Sequence, residues 1–157
     1  MSKEHPKLKS AIEKVLLELN NCILKRRAYN EFISLKTAHG LDFFRICATA
    51  LQNDLYAGAH RALDTHKDAT SFWYIKNIAP KEFAKAAADS GIVIEELEKL
   101  AQKLKHIRDR VHFHVDRRDL IEPTKAWEEA DLTGNEFISL TESAHEILRI
   151  MYLNLTE

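Results

Sequence analysis

Residues 96–116 read ELEKLAQKLKHIRDRVHFHVD, and apolar residues recur in this stretch at steps of three and four. That spacing is typical of a helix that buries one face. The next position on the apolar face is His114, and Arg108 borders the same face on its other side. A buried charged or polar side chain is costly unless something pairs with it. Both residues are therefore candidates for a functional site. The alternative is a helix end at which both side chains reach water.

The segment from Arg108 to His114 resembles the motif of the HEPN superfamily, the higher-eukaryote and prokaryote nucleotide-binding helical domains. That motif has an Arg, then usually a polar residue, and later a His near the end of a core helix. Here the polar residue is Asp109, and five residues separate Arg108 from His114. The next residues are similar to the His-Arg-Asp ending of the abortive-infection branch, except that Val115 replaces the basic residue. The resemblance spans residues 41–153.

The resemblance implies a catalytic role for this motif, because many HEPN proteins are metal-independent ribonucleases whose site is assembled from two chains. It implies Arg108 and His114 as catalytic residues, Asp109 as an orienting residue and His112 as a lesser candidate. These residue types suit RNA cleavage, because RNA supplies its own 2′-hydroxyl nucleophile. An imidazole can transfer a proton near neutral pH. A guanidinium can hold the extra negative charge on the phosphorus centre.

A second segment, His-Arg-Ala-Leu-Asp at 60–64, resembles the same branch. This segment precedes a polar loop. Its last residue, Asp64, could pair with an arginine of the 96–116 helix, which the sequence permits but does not require. After the loop come three aromatic residues at 72–74. Such residues can stack on nucleic-acid bases, but we expect these to form a core plug between helices.

Positive charge is concentrated at the 96–116 helix and its exit, although the whole chain has a formal net charge of −1. Seven basic and two acidic side chains lie between positions 99 and 118. This cluster indicates an RNA-binding surface, with Lys105, Arg110, Arg117 and Arg118 as its candidates. The alternative is a solvated helix face, because the helix dipole favours basic residues near a C-terminus. The overall balance excludes a globally basic nucleic-acid coat protein.

The length of 157 residues predicts one domain, 1–157, that is large enough to bury a core. Cys22 and Cys47 lie in helical patterns and are expected to be small reduced core residues of an intracellular protein. The sequence has no apolar run of transmembrane length, and its first residues do not form a signal-peptide pattern. We therefore expect a cytoplasmic protein that does not contact a membrane.

Apolar periodicity elsewhere predicts further helices and no strands. In the second long helix the residues predicted to face inward include Phe44, Leu51 and Leu55. In the last helix the predicted apolar stripe is Phe137, Leu140, Ala144, Ile147, Leu148 and Met151. The expected fold class is all-α, an antiparallel bundle of four long helices plus short helices, and the resemblance implies that it is HEPN-like. Thr133 and Glu136 form a capping-box pattern at the start of the last helix. Gly58 predicts a close approach of two helices. The long helices are predicted at 7–27, 41–63, 92–115 and 134–153, and the short ones at 30–36, from 72 to Pro80, 81–89 and 124–130.

Two patterns with metal-ligand spacing carry less weight. The first, His112-x-His114-x-Asp116, would lie on a helix, where residues two apart face away from each other. The second is a single Glu-x-x-His pair, Glu142 and His145. Di-iron bundles need two such pairs and two further carboxylates. We therefore expect no metal and no cofactor.

Two other classes of function remain open on the sequence. Other HEPN members bind nucleotides or partners, or act as dimerising scaffolds, without catalysis. An antitoxin or immunity-type protein could use the basic helix to bind an acidic partner. The expected partners are a second copy of the chain, RNA or a nucleotide, and a cognate antitoxin if the protein acts in phage defence or a toxin–antitoxin system. The predicted two-fold interface includes the end of the 96–116 helix.

Overall fold

The structure is a computed structural model, and it describes residues 5–35, 40–66, 68–109 and 125–156. Within these ranges every regular element is a helix, which confirms the all-α prediction. None of the described helices combines the length and the apolar character needed to cross a membrane. In chain order the helices are α1 (His5–Ser34), α2 (Leu41–Ala62), α3 (Phe72–Ile78), α4 (Pro80–Ser90), α5 (Ile94–Ile107), α6 (Lys125–Ala130) and α7 (Gly134–Thr156).

Helices α1 and α2 pack antiparallel as a long hairpin. Early residues of α1 contact late residues of α2, and the order reverses along the pair. Two ion pairs show this register, Glu18–Arg61 at 3.0 Å and Lys25–Asp54 at 2.5 Å.

The two helices pack closely at Gly58. A Cβ atom added there would lie 3.0 Å from the Cys22 Sγ atom, so even an alanine would require the Cys22 side chain to shift by a few tenths of an ångström. The predicted close approach is therefore confirmed. Cys22 is buried against α2, and burial raises the pKa of its thiol to about 12. Cys47 is also a free thiol but is only half-buried.

Helix α7 lies antiparallel along another side of α1 and forms the centre of the core. Arg26 donates a hydrogen bond to Glu142 at 2.6 Å, and the Tyr152 hydroxyl donates one to Glu13 at 3.1 Å. Helix α7 also contacts α4 and α5. Its predicted apolar stripe is buried throughout, at Phe137, Leu140, Ala144, Ile147, Leu148 and Met151.

The aromatic residues at the start of α3 form the expected core plug. The Phe72 side chain is completely buried, and its ring centroid lies 4.9 Å from those of both Trp73 and Phe83. Trp73 is also buried and donates its indole N–H to the Leu63 carbonyl at 3.1 Å. The Phe72 ring is covered by protein and cannot stack on a base, whereas Trp73 keeps a small exposed surface that lines a groove beside α5.

The boundaries of α1 and α5 differ from the predictions. Helix α1 runs without a break to Ser34, so the predicted end at 27 and the separate helix at 30–36 are wrong. The extension packs on the start of α2, where the ring centroids of Phe32 and Phe44 are 5.2 Å apart. Helix α5 begins at Ile94 rather than at 92, and the predicted helical residues 110–115 lie outside the described part of the chain.

A capping box begins α7, as predicted. The Thr133 N–H donates to Glu136 Oε2 at 2.7 Å, and the Glu136 N–H donates to Thr133 Oγ1 at 3.2 Å. Lys103 of α5 donates to the other oxygen of Glu136 at 2.9 Å. The hydrogen bond from Lys103, together with those from Thr133, lowers the pKa of the Glu136 carboxyl to about 2. This carboxylate therefore joins the start of α7 to α5.

We expect the stability of the protein to depend on Glu136 in acid. The pKa of this carboxyl is depressed in the folded state, so its contribution is complete above its ordinary pKa of 4.5 and is lost as pH falls towards 2. Urea unfolding between pH 6 and pH 2.5 should show a smaller acid-induced loss of stability in Glu136→Gln than in the wild type. Glu96→Gln is the matched control, because Glu96 also lies in a helix first turn but at an end without a side-chain cap. Equal pH profiles for the wild type and Glu136→Gln would contradict the prediction.

Candidate functional site

Arg108 lies at the end of α5. The helix changes there from α-helical to π-helical geometry, at Arg108 and Asp109. Turns of the π type are rare and often occur at functional sites. The Arg108 side chain is 20% exposed. Its place at the border of the buried face of α5, predicted from the helical spacing, is confirmed by this partial burial.

Two carboxylates hold the Arg108 guanidinium. Its Nη1 donates to Asp64 Oδ1 at 2.8 Å, and its Nε donates to Asp109 Oδ1 at 2.9 Å. Asp64 follows the end of α2, so the first contact joins α2 to α5 across 44 positions of sequence. The pairing with Asp64 that the sequence only permitted is therefore present, and Asp109 contacts the same guanidinium.

The loop after α2 fixes the position of Asp64. The His66 N–H donates to Asp64 Oδ1 at 2.9 Å, and the Ser71 hydroxyl donates to the Asp64 carbonyl at 2.6 Å. The same hydroxyl accepts a hydrogen bond from the Tyr74 N–H at 3.3 Å and so caps α3. Ser71 is completely buried. The carboxylate thus sits on a loop that is tied to the aromatic plug.

The electrostatics of the pair favour the charged forms of both partners. Burial raises the pKa of the Asp64 carboxyl, but the hydrogen bonds from His66 and Arg108 and the arginine charge outweigh it and leave this pKa below its usual range. Burial by itself lowers the pKa of the Arg108 guanidinium. The hydrogen bonds to Asp109 and Asp64 outweigh burial and raise this pKa above its usual value. Arg108 and Asp64 are therefore both held in their charged forms.

Among the contacts of the described residues, the two carboxylates take up only part of the Arg108 guanidinium. An arginine carries five N–H groups in a planar fork, and one to Asp64 and one to Asp109 account for two of them. The remaining donors suit a phosphate oxygen, which arginine commonly contacts through two parallel bonds. Two carboxylates against one guanidinium give the described cluster a local charge of about −1. A phosphate would therefore need further positive charge from neighbouring residues.

The described residues supply one such neighbour. Lys105 is half-buried and lies three positions before Arg108, so the two side chains emerge on adjacent parts of the helix surface. Lys103, which contributes to the basic cluster in the sequence, is instead bound to Glu136 and to the Asp131 carbonyl. The other predicted site residues, Arg110, His112, His114, Arg117 and Arg118, lie outside the described residues.

A groove of about 480 Å³ lies between α3 and α5, beside the loop that carries Asp64. Thr65 lines one end of it, and Glu95, Glu98 and Lys99 line the α5 side. Lys76 crosses the groove to form an ion pair with Glu98. Sequence analysis missed this groove, because it depends on how α3 packs against α5.

The metal patterns receive no support from the described residues. Among these residues, no group of three or more His, Cys, Asp or Glu side chains is placed to hold a metal ion. Glu142 of the Glu-x-x-His pair is bound to Arg26. Burial lowers the pKa of His145, which favours its neutral form. The His112-x-His114 pattern lies outside the described residues.

Comparisons of the chain with protein-family models, with curated proteins and with solved structures found no match. Arg108, Asp64 and the residues around them therefore carry the functional assignment.

We expect Asp64→Asn to lower the free energy of unfolding by about 1 kcal/mol, because it removes the charge from a partly buried hydrogen bond to Arg108. Urea unfolding at pH 7 measures this change. Asp68→Asn is the matched control, since Asp68 lies in the same loop with its side chain 76% exposed, and we expect no measurable change. Equal losses in the two variants would contradict a stabilising contact between α2 and α5.

Proposed function

We propose that this chain is a HEPN-like metal-independent endoribonuclease in which Arg108 and His114 act on the scissile phosphate. The observation that supports it most directly is the fixed, partly buried position of Arg108 at the end of α5, held by Asp64 and Asp109. A surface arginine without such contacts would sample many side-chain conformations and would not hold its guanidinium in one position. The motif resemblance supplies His114 as the proton-transferring partner.

In the proposed reaction the RNA 2′-hydroxyl attacks the adjacent phosphorus. His114 exchanges a proton with the reacting oxygens, because an imidazole is able to do so near neutral pH. The remaining N–H groups of Arg108 stabilise the negative charge that builds up on the phosphate oxygens. The bond to the 5′-oxygen of the next nucleotide breaks, which leaves a 2′,3′-cyclic phosphate and a 5′-hydroxyl. Asp64 and Asp109 position the guanidinium, and His112 is a further candidate in proton transfer.

The proposal includes the arrangement of helices and chains that the HEPN resemblance implies. Four long helices form an antiparallel bundle, and the end of α5 contributes to a two-fold interface that joins two sites in one cleft. Positive charge for the RNA backbone comes from Lys105, Arg110, Arg117 and Arg118. That charge offsets the local negative charge of the Arg108 cluster. A cytoplasmic role in phage defence, with a cognate antitoxin, fits such an activity.

RNA cleavage by the purified protein tests the proposal. Mixed-sequence RNA should be cut in the presence of EDTA, because the nucleophile is part of the RNA and no metal-bound water is required. The 3′ ends should carry a 2′,3′-cyclic phosphate. A substrate with a single 2′-deoxyribose at the cut site should resist cleavage at that site only. Cleavage that needs a divalent ion, or that continues at the deoxyribose site, would exclude this mechanism.

A second candidate is a non-catalytic scaffold, and one specific observation favours it. The Arg108 contacts could also be purely structural, because two carboxylates already pair with the cation and the one from Asp64 joins the end of α2 to α5. In a scaffold, Asp64→Asn would change stability alone. In the ribonuclease, the same substitution should also lower the rate constant for cleavage at saturating RNA, measured where the variant is fully folded.

A further inference from the structure

A second apolar stripe runs along the outer face of α1, on the side opposite the core. Leu17 is 62% exposed and Leu24 is 59% exposed, and Leu35, directly after the helix, is 55% exposed. Leu17 and Leu24 are seven positions apart, which places them on the same side of a helix. The core side of the same helix is occupied by Leu19 and Cys22, which are buried. Helix α1 therefore has two apolar faces, of which the core covers one.

The exposed stripe follows the alternating three- and four-residue spacing of a coiled-coil interface. We call it the outer seam, and it is about 30 Å long at the rise of an α-helix. None of its side chains is fully buried. The positions of the outer seam are Lys14, Leu17, Asn21, Leu24, Ala28, Glu31 and Leu35.

The charges on the outer seam fit a second, antiparallel copy of itself. If two copies of α1 pack antiparallel about a point between positions 22 and 23, Lys14 of each chain faces the partner's Glu31. Leu17 packs against the partner's Ala28. A parallel pair would instead place Lys14 against Lys14 and Glu31 against Glu31, and like charges in contact are unfavourable.

We propose that a second copy of this chain docks on the outer seam, with its α1 antiparallel to the first. The occupant is a copy of the same chain because the two ends of the seam carry opposite charges that a two-fold axis brings together. The proposal uses no residue of the Arg108 cluster. The outer seam is therefore a second interface, separate from the two-fold contact at the end of α5 that the proposed ribonuclease requires.

Charge reversal and mixing test the proposal, with the full chain and sedimentation velocity from about 1 to 100 µM. Lys14→Glu and Glu31→Lys should each weaken the dimer by about tenfold, because each creates two symmetric like-charge contacts. Mixing the two variants should restore dimers of wild-type affinity, since every contact in the mixed dimer again joins opposite charges. Lys14 and Glu31 of one helix are about 25 Å apart, so compensation within a chain is excluded.

Matched controls separate the seam from general changes in charge or folding. Lys85→Glu on α4 makes the same charge change at another exposed position and should leave the dimer unchanged. Leu24→Glu should abolish association through the outer seam while keeping the wild-type helical signal in circular dichroism. A wild-type monomer at 100 µM would overturn the proposal and leave the outer seam to a different protein partner. Dimers that are insensitive to the charge reversals would also overturn it, because a parallel pair or another interface would then be in use.

Discussion

His114→Ala and Arg108→Ala are each expected to reduce the rate of RNA cleavage by about 10²-fold or more. That is the usual scale for a group that transfers a proton or stabilises charge in a transition state. Single-turnover cleavage of a labelled RNA, with enzyme in excess, measures the loss of the chemical step directly. If both groups act in one step, Arg108→Ala combined with His114→Ala should lose less activity than the product of the two single losses.

The controls for these variants must separate catalysis from folding. Arg108 contacts Asp64, so Arg108→Ala also leaves a partly buried carboxylate without its cation. Arg108→Lys keeps the charge but loses the planar fork, and we expect it to fold as the wild type does while cleaving slowly. Lys85→Ala, at an exposed position of α4, should cleave at the wild-type rate. Full activity in either alanine variant would place the reaction elsewhere in the chain.

Phe72→Ala is expected to lower the free energy of unfolding by about 3–5 kcal/mol, which is a large part of the stability of a domain of this size. The reason is the cavity left under the loop that carries Asp64, since the Phe72 ring is completely buried between Trp73 and Phe83. Urea unfolding followed by circular dichroism measures the change.

Phe43→Ala removes the same side chain from an exposed position, where Phe43 is 63% exposed. We expect it to change the free energy of unfolding by less than about 0.5 kcal/mol. The m-value, which is the slope of unfolding free energy against urea concentration, should be equal in both variants if the unfolded state is unaffected. A loss below about 1 kcal/mol for Phe72→Ala would mean that the surrounding side chains close the cavity.

The local spacing of apolar residues was enough to predict helices that carry an unbroken apolar face. The stripe of α7 is dense, and each of its predicted residues is buried. In α2 the same method was only half correct. Leu55 is buried as predicted, whereas Phe44 and Leu51 are only half-buried. Periodicity shows which residues share a face, but it does not show how far a neighbouring helix extends along that face.

The unbroken length of α1 could not be predicted for a related reason. The apolar stripe that faces the core weakens after 23, and the basic residues at 25–27 are typical of a helix C-terminus. The helix continues because Phe32 packs against Phe44 of α2. That contact joins residues on two helices, and no local rule contains it. The outer seam was also missed, because its three leucines are spaced too widely to form a dense stripe.

The candidate site was predicted in part. Helical spacing placed Arg108 at the edge of the buried face, and its partial burial agrees. Asp64 was identified only as an allowed partner, because an ion pair across 44 positions depends on how two helices cross. Counting all the basic residues of the cluster overestimated the positive charge available to bind RNA, because Lys103 is ion-paired with Glu136. His114 and the remaining basic residues stay predictions.

The contacts of α7 with α1 bear on the order in which the chain can fold. Glu13 and Tyr152 are separated by 139 positions of sequence, and Arg26 and Glu142 by 116. The α1–α2 hairpin can form early, because its contacts are local and little chain entropy is lost in closing it. The core side of α1 stays uncovered until α7 has been synthesised. During translation that apolar surface would stay without its α7 partner while the intervening residues are made, and transiently exposed apolar surface makes a folding chain prone to aggregate.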